Sequence, residues 1–181
     1  ISYPLQAEPI YIKEYDSSTH YFELAVENAV HKTVLPAFTQ ETYKNISLGN
    51  IGYNRYLLNN FAEAEPLLLI DYSNAISIND SGLAAGAAIP LADIYLSKRK
   101  MEIADSLLNI ARECVAVAAQ NYRLEQLFAV RSKYYEVLGD NKKAIFYKDS
   151  AMKAMSYNDS IFNGLLVLRA QQKSDLEKLL K

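Results

Sequence analysis

Apolar residues recur at three- and four-residue steps along most of this chain, which is the spacing of one face of an α-helix. Short polar breaks interrupt the pattern, and the clearest is Leu138-Gly139-Asp140-Asn141. Glycine suits the left-handed residue that follows one helix, and aspartate can cap the next. The breaks predict helices over residues 37–58, 61–78, 82–98, 101–119, 123–138 and 141–156. Because the connections are so short, neighbouring helices are expected to run antiparallel.

Three segments of the sequence align with one another when three alanines are superimposed. These alanines lie 40 residues apart, at Ala64, Ala104 and Ala144. Twelve positions before each stands a small residue, which is Gly52, Ala92 or Ser132. Small side chains allow two helices to approach closely, so the spacing predicts a repeated helical hairpin with equivalent places of close packing.

The two ends of the chain depart from this repeat. Residues 13–25 match half a unit, with Ser18 in the place of the alanine. At the other end, residues 156–159 predict the end of a helix, and Asp159 or Ser160 then caps a further helix that covers the last repeat. Within the repeats, Pro66 and Pro90 each predict a kink or a later helix start, because proline removes a backbone hydrogen bond.

The composition agrees with a helical fold. The chain has 181 residues and is 50% hydrophobic, which is enough for one domain with a continuous core. Its 6 Gly and 5 Pro are too few for the many turns of a β-sandwich or β-barrel. We therefore predict an all-α protein.

Charge and apolar runs exclude two classes of partner for this segment. The 19 basic and 21 acidic residues give a formal charge of −2, so there is no basic field to attract a nucleic acid. No apolar run reaches the roughly 18 residues that a membrane span needs. Cys114 has no second cysteine to pair with and stands in a pattern typical of a buried small hydrophobic residue, which leaves both cytoplasm and periplasm open.

The small residue, the tyrosine-rich end of the first helix, the Gly-Asp turn and the alanine of the second helix together resemble the tetratricopeptide repeat (TPR) family. Residues 134–144 match the family pattern best, whereas Arg99 stands where the family usually has glycine. The resemblance implies a right-handed α-solenoid of antiparallel helix pairs, with about three full repeats, a partial N-terminal repeat and a C-terminal capping helix. As one domain over 1–181, the repeats would span about 13–36, 37–79, 82–120 and 123–157, and the capping helix 159–181.

The resemblance also implies a concave ligand-binding face, lined by the first helix of each pair. Carried onto this sequence, that face comprises Tyr53, Tyr56, Ile89, Asp93, Leu96, Gln126, Lys133 and Glu136. Tyrosine offers a large contact area with few rotamers to fix, although Tyr53 and Tyr56 could equally be packing residues. The charged members could orient the ends or charges of a protein or peptide partner, or remain solvated.

The sequence predicts no enzyme, cofactor or metal site. His20 and His31 are eleven residues apart, which does not match the spacing of a helical zinc site, and no HExxH motif or cysteine pair accompanies them. A helical enzyme whose catalytic groups converge only in space is the remaining catalytic hypothesis.

Residues 148–163 resemble the end of the repeat arrays in Bacteroidetes-type signalling proteins, where an extracytoplasmic array precedes a membrane span and an output domain. This resemblance implies a periplasmic sensory or assembly domain, read out by a change in curvature or by dimerisation of the terminal helix, and thus a possible homodimer. The alternative is a stand-alone cytoplasmic adaptor or structural scaffold without signalling output. A leader peptide and a membrane span after Lys181 would favour signalling.

Overall fold

The computed structural model describes residues 9–31 and 36–179, and all regular structure within them is helical. The prediction of an all-α fold is therefore confirmed. The elements in chain order are α1 (Pro9–His31), α2 (Ala37–Leu57), α3 (Phe61–Ser77), α4 (Ser81–Ser97), α5 (Met101–Val117), a 3-10 turn (Asn121–Arg123), α6 (Leu124–Leu138) and α7 (Asn141–Leu179). The bounds of α2 to α6 lie within two residues of those predicted from the polar breaks.

The predicted end of a helix near Asn158 is wrong, because α7 runs without interruption from Asn141 to Leu179. Residues 156–160 contain neither glycine nor proline, so nothing in them breaks a helix. Neither Asp159 nor Ser160 caps a new helix, since both lie inside α7. The Asn158 amide donates to the Tyr122 carbonyl at 3.0 Å and to the Glu125 carboxylate at 3.2 Å. The segment expected to be a separate capping helix is thus the continuation of α7.

The two internal prolines do not delay their helices. Pro66 lies inside α3, which begins at Phe61, and Pro90 lies inside α4, which begins at Ser81. A later helix start is therefore wrong at both positions.

The turns that follow α2 to α6 share one backbone conformation. A residue with positive φ recurs every 20 positions, at Asn59, Asn79, Arg99, Ala119 and Gly139. In each turn, the amide that follows this residue donates to a carbonyl five residues back, as from Asn60 to Arg55 at 2.8 Å. This pattern is the Schellman helix end. With α3, α4 and α5 all 17 residues long, the spacing of the helix ends is half the 40-residue repeat of the sequence.

The chain divides into two compact units, at residues 1–120 and 121–181. In the first unit each of α1 to α4 packs against the helix that follows it, and α2 also touches α4. In the second unit the 3-10 turn and α6 pack against α7. In the first unit α4 is the most enclosed helix, since α2, α3 and α5 all contact it and twelve of its 17 residues are buried.

The three alanines that align in the sequence are all buried, with exposures of 0% for Ala64 and Ala104 and 4% for Ala144. The small residue opposite makes a close approach in two of the hairpins. A Cβ added at Gly52 would lie 3.2 Å from the Ala64 carbonyl oxygen, and the Ser132 hydroxyl donates to the Ala144 carbonyl at 2.9 Å. The small residue and the alanine thus mark where the two helices of these hairpins meet.

Candidate functional site

Four side chains from three helices meet in the first unit, and we call them the tyrosine cluster: Tyr53, Tyr56, Phe61 and Asp93. Tyr53 and Tyr56 lie on the last turns of α2, one helical turn apart, with ring centroids 6.0 Å apart. Phe61, the first residue of α3, stacks on Tyr56 at 5.8 Å. The Tyr56 hydroxyl donates a 2.7 Å hydrogen bond to the Asp93 carboxylate on α4. The bond joins the first helices of two consecutive hairpins.

Burial fixes the protonation state of Tyr56. Its removal from water, together with the charge and the hydrogen bond of Asp93, holds the pKa of Tyr56 far above the usual range for tyrosine. Asp93 is itself buried, with 8% of its surface exposed. A neutral donor and a carboxylate acceptor in a shielded place make a strong, short hydrogen bond that locks the Tyr56 ring.

Tyr53 is half-buried, as Tyr56 is, and its ring lies beside the locked ring of Tyr56. An amphipathic ring in this position can contact a partner while its neighbour keeps it oriented. The tyrosine cluster can therefore provide a preorganised aromatic contact surface.

Two of the predicted ligand-binding residues lie in the core instead. Ile89 has 2% of its surface exposed and Leu96 5%. Their helix, α4, is covered on several sides, so its apolar residues pack inward whichever face they occupy. In this conformation neither side chain has surface to offer a ligand.

The remaining predicted residues belong to the second unit. Gln126, Lys133 and Glu136 are all exposed on α6. Gln126 and Lys133 are seven positions apart and Glu136 follows three later, so they share one broad side of the helix. Together they form a polar surface with both a positive and a negative charge.

Sequence reasoning missed Phe61 and the contacts of Asn54. Phe61 follows the turn after α2, and its stacking on Tyr56 depends on the left-handed residue Asn59, whose conformation could have been suspected from its residue type. The Asn54 amide donates to the Thr19 hydroxyl at 3.1 Å and to the Ser18 hydroxyl at 3.3 Å, which links α1 to α2. Nothing in the spacing of the sequence indicates this pair.

A recess of about 610 Å³ lies between the first half of α2 and the last half of α3. Its lining combines Phe38, Glu41, Thr42, Lys44, Asn45, Leu48, Leu69, Ile70, Ser73, Asn74 and Ser77. The side-chain nitrogen of Asn74 has no hydrogen-bond partner there, but this atom is itself buried. A ligand could reach it only after neighbouring side chains move.

Reactive and metal-binding groups are sparse in the parts of the chain that the structure describes. Cys114 is half-buried, and burial raises the pKa of its thiol, which disfavours the reactive thiolate. Among the side chains that the structure describes, no three from His, Cys, Asp or Glu are grouped to hold a metal ion. His20 is exposed, and the side chain of His31 lies outside the described region. None of the described helices is both long and apolar enough to cross a membrane.

Comparison of the chain with known protein families, with curated proteins and with solved structures finds no match.

Proposed function

We propose that this chain is a TPR-like scaffold that binds a protein or peptide, with its helical hairpins stacked as a right-handed solenoid. The observation that supports this function best is the 2.7 Å bond from Tyr56 to Asp93, which ties the first helices of two consecutive hairpins together. In a helical repeat protein these helices carry the binding face. The bond places a fixed aromatic group at the junction of two repeats.

A locked aromatic cluster favours binding for an entropic reason. Association has to overcome the loss of side-chain freedom, and a ring that is already held loses little on contact. Tyr56 is held by Asp93 and Phe61, and Tyr53 lies against it. We assign Tyr53 as the contact residue and Tyr56 with Asp93 as the groups that position it.

The exposed residues Gln126, Lys133 and Glu136 supply polar groups in the second unit. Charges on an exposed surface contribute more to orientation and association rate than to affinity. We assign this surface to the termini or charged side chains of the partner.

The biological role follows from the resemblance of residues 148–163 to signalling arrays. We propose an extracytoplasmic sensory or assembly domain of a bacterial signalling protein. Sequencing the complete gene tests this role, with a leader peptide upstream and a membrane span after Lys181 as the expected result. A gene with neither would instead make the chain a stand-alone adaptor.

The binding function can be tested with peptides selected on the wild-type chain from a random displayed library. We expect enriched peptides, and at least about a tenfold loss of affinity for them in Tyr53→Ala, as for the better interface residues. The matched control is Tyr43→Ala, since Tyr43 lies on the same helix and is 55% exposed. Isothermal titration of both variants, with circular dichroism to verify folding, measures the effect. Unaltered binding by folded Tyr53→Ala would refute the assignment, and so would an equal loss in Tyr43→Ala.

A further inference from the structure

The helix α7 is much longer than the helix it pairs with. It has 39 residues against 15 for α6, which at 1.5 Å per residue correspond to roughly 58 Å and 22 Å. The hydrogen bonds from Asn158 to Tyr122 and Glu125 lie where α7 passes the beginning of α6. Beyond this point α7 continues without α6 beside it.

Every residue from 159 to 173, which we call the distal segment, is exposed. The distal segment nevertheless carries a block of large apolar side chains, each between 46% and 60% exposed: Ile161, Phe162, Leu165, Leu166, Val167 and Leu168. Single exposed apolar residues are common on proteins, but a contiguous block marks an interaction surface.

Part of this block continues a helix–helix interface that already exists. Tyr147 packs its ring against Phe128 and Tyr135 of α6, with centroids 6.0 Å and 5.4 Å away, and Asn158 bonds to the start of the same hairpin. From Tyr147 the positions 151, 154, 158, 161, 165 and 168 follow at alternating steps of four and three residues. This is the spacing of a coiled-coil seam. The face that packs on α6 thus extends into the distal segment as Ile161, Leu165 and Leu168.

The charges around the apolar block favour one pairing of two such segments. Asp159 precedes the block, and Arg169 and Lys173 follow it. When two copies run antiparallel and are centred on the block, Asp159 of one lies opposite Ala170 and thus within one residue of Arg169 of the other. In a parallel pair each charged residue would instead lie beside the same residue of the other copy, which carries the same charge.

We propose that the distal segment of α7 is a homodimerisation surface, which pairs antiparallel with the distal segment of a second copy of this chain. The seam of Ile161, Leu165 and Leu168 forms the contact, and Asp159 and Arg169 set its direction. This proposal does not depend on the binding function of the tyrosine cluster.

The size of the segment sets the expected strength of the dimer. It offers 15 residues per copy, whereas a standard stable interface uses roughly 20–30 residues a side. We therefore expect a reversible dimer with Kd on the order of micromolar.

Sedimentation equilibrium of the full chain across the micromolar range tests the proposal. We expect a monomer–dimer equilibrium for the wild type and a monomer at every concentration for the double variant Leu165→Glu/Leu168→Glu. The matched control is Val167→Glu, because Val167 is 59% exposed but is not one of the seam positions. It should dimerise as the wild type does. All three positions are exposed, so folding is expected to survive, and circular dichroism verifies this.

A charge swap tests the direction of pairing. Asp159→Arg should weaken the dimer a few-fold, and Asp159→Arg/Arg169→Asp should restore it. A wild type that stays monomeric overturns the proposal, as does a dimer that persists in Leu165→Glu/Leu168→Glu. Co-sedimentation with phosphatidylcholine–phosphatidylglycerol vesicles separates the main rival, since a monomer that binds vesicles through Leu165 and Leu168 would make the segment a membrane-surface helix.

Discussion

Four of the five turns that follow α2 to α6 hold a residue other than glycine in the left-handed region, with φ between 52° and 60°. Asparagine at 59 and 79 tolerates this conformation, because its short polar side chain can bond locally. Arg99 and Ala119 have no such compensation, and a left-handed residue costs them roughly 1–2 kcal/mol each. Arg99 stands where the repeat pattern has glycine, and the backbone there keeps the left-handed conformation that glycine adopts most easily.

Arg99→Gly should therefore stabilise the chain by about 0.5–1 kcal/mol, since relief of the left-handed strain exceeds the extra entropy of glycine in the unfolded state. Urea denaturation measures the change. The matched control is Arg112→Gly, an exposed position within α5, where the same exchange should cost about 1 kcal/mol. If Arg99→Gly destabilised the chain as much as Arg112→Gly does, the turn would not be strained.

Tyr56→Phe should lower the free energy of unfolding at neutral pH by about 1.5–3 kcal/mol, because it removes a hydrogen bond to a buried carboxylate. The pKa of Tyr56 is raised in the folded state, so its stabilisation is fully present below the unfolded pKa of about 10 and is lost as pH rises further. We expect the free energy of unfolding to fall more steeply above about pH 10 in the wild type than in Tyr56→Phe. Denaturation at a series of pH values measures both slopes.

The control for this experiment is Tyr157→Phe, whose ring is 61% exposed. It should match the wild type in stability and in pH dependence. Equal slopes for the wild type and Tyr56→Phe above pH 10 would contradict the assigned role of the Tyr56 hydroxyl.

At the scale of the helices, close approach is possible because the facing residues are small. A Cβ added at Gly52 of α2 would lie 2.8 Å from the Leu67 Cβ and 3.1 Å from the Leu68 backbone nitrogen of α3. Backbone atoms cannot move aside as a flexible side chain can. The α2–α3 hairpin therefore depends on this glycine.

Gly52→Ala should destabilise the chain by about 1–3 kcal/mol through overpacking. Gly164→Ala is the matched control, since the added Cβ there would meet no neighbouring group within 4 Å beyond the local backbone of its own helix, and it should stabilise by up to about 1 kcal/mol. Thermal unfolding of the two variants should shift in opposite directions. A neutral Gly52→Ala would indicate that α2 and α3 do not approach as described.

Local signals explain why most helices could be predicted from the sequence. The residue types of the Gly139-Asp140 turn predict its conformation correctly. Gly139 has φ of 78°, and Asp140 accepts a hydrogen bond from the Lys143 amide at 3.1 Å. The 20-residue spacing of the helix ends was missed because different residue types adopt the same turn conformation. The helix end predicted near Asn158 was wrong because the hydrogen-bond partners of Asn158 lie more than 30 positions away in the sequence.

The candidate site also has features that local sequence patterns predict and features that depend on packing. The step from Tyr53 to Tyr56 places both on one side of α2, and this is readable from spacing alone. The burial of Ile89 and Leu96 cannot be predicted from spacing, because it depends on how many helices surround α4. The bond between Tyr56 and Asp93 likewise depends on the packing of α2 beside α4, which no local pattern encodes.

At the scale of the whole molecule, each unit combines a packed region with a surface that we propose binds another protein. The first unit has the tyrosine cluster at the contact of α2 and α4, and the second has the distal segment of α7. We propose that the first helices of the hairpins bind the partner and that the last helix mediates self-association. The two surfaces can therefore be altered separately.

The most direct test of this account is hydrogen–deuterium exchange of the wild-type chain, alone and saturated with a selected peptide. We predict slower exchange on binding in the last turns of α2, around residues 49–57, and in α4 around residues 89–97. Exchange in α5 and in α3 beyond its first turn should stay unchanged, because Phe61 is the one residue of these two helices in the tyrosine cluster. Protection confined to α3, α5 or α7 would contradict the account.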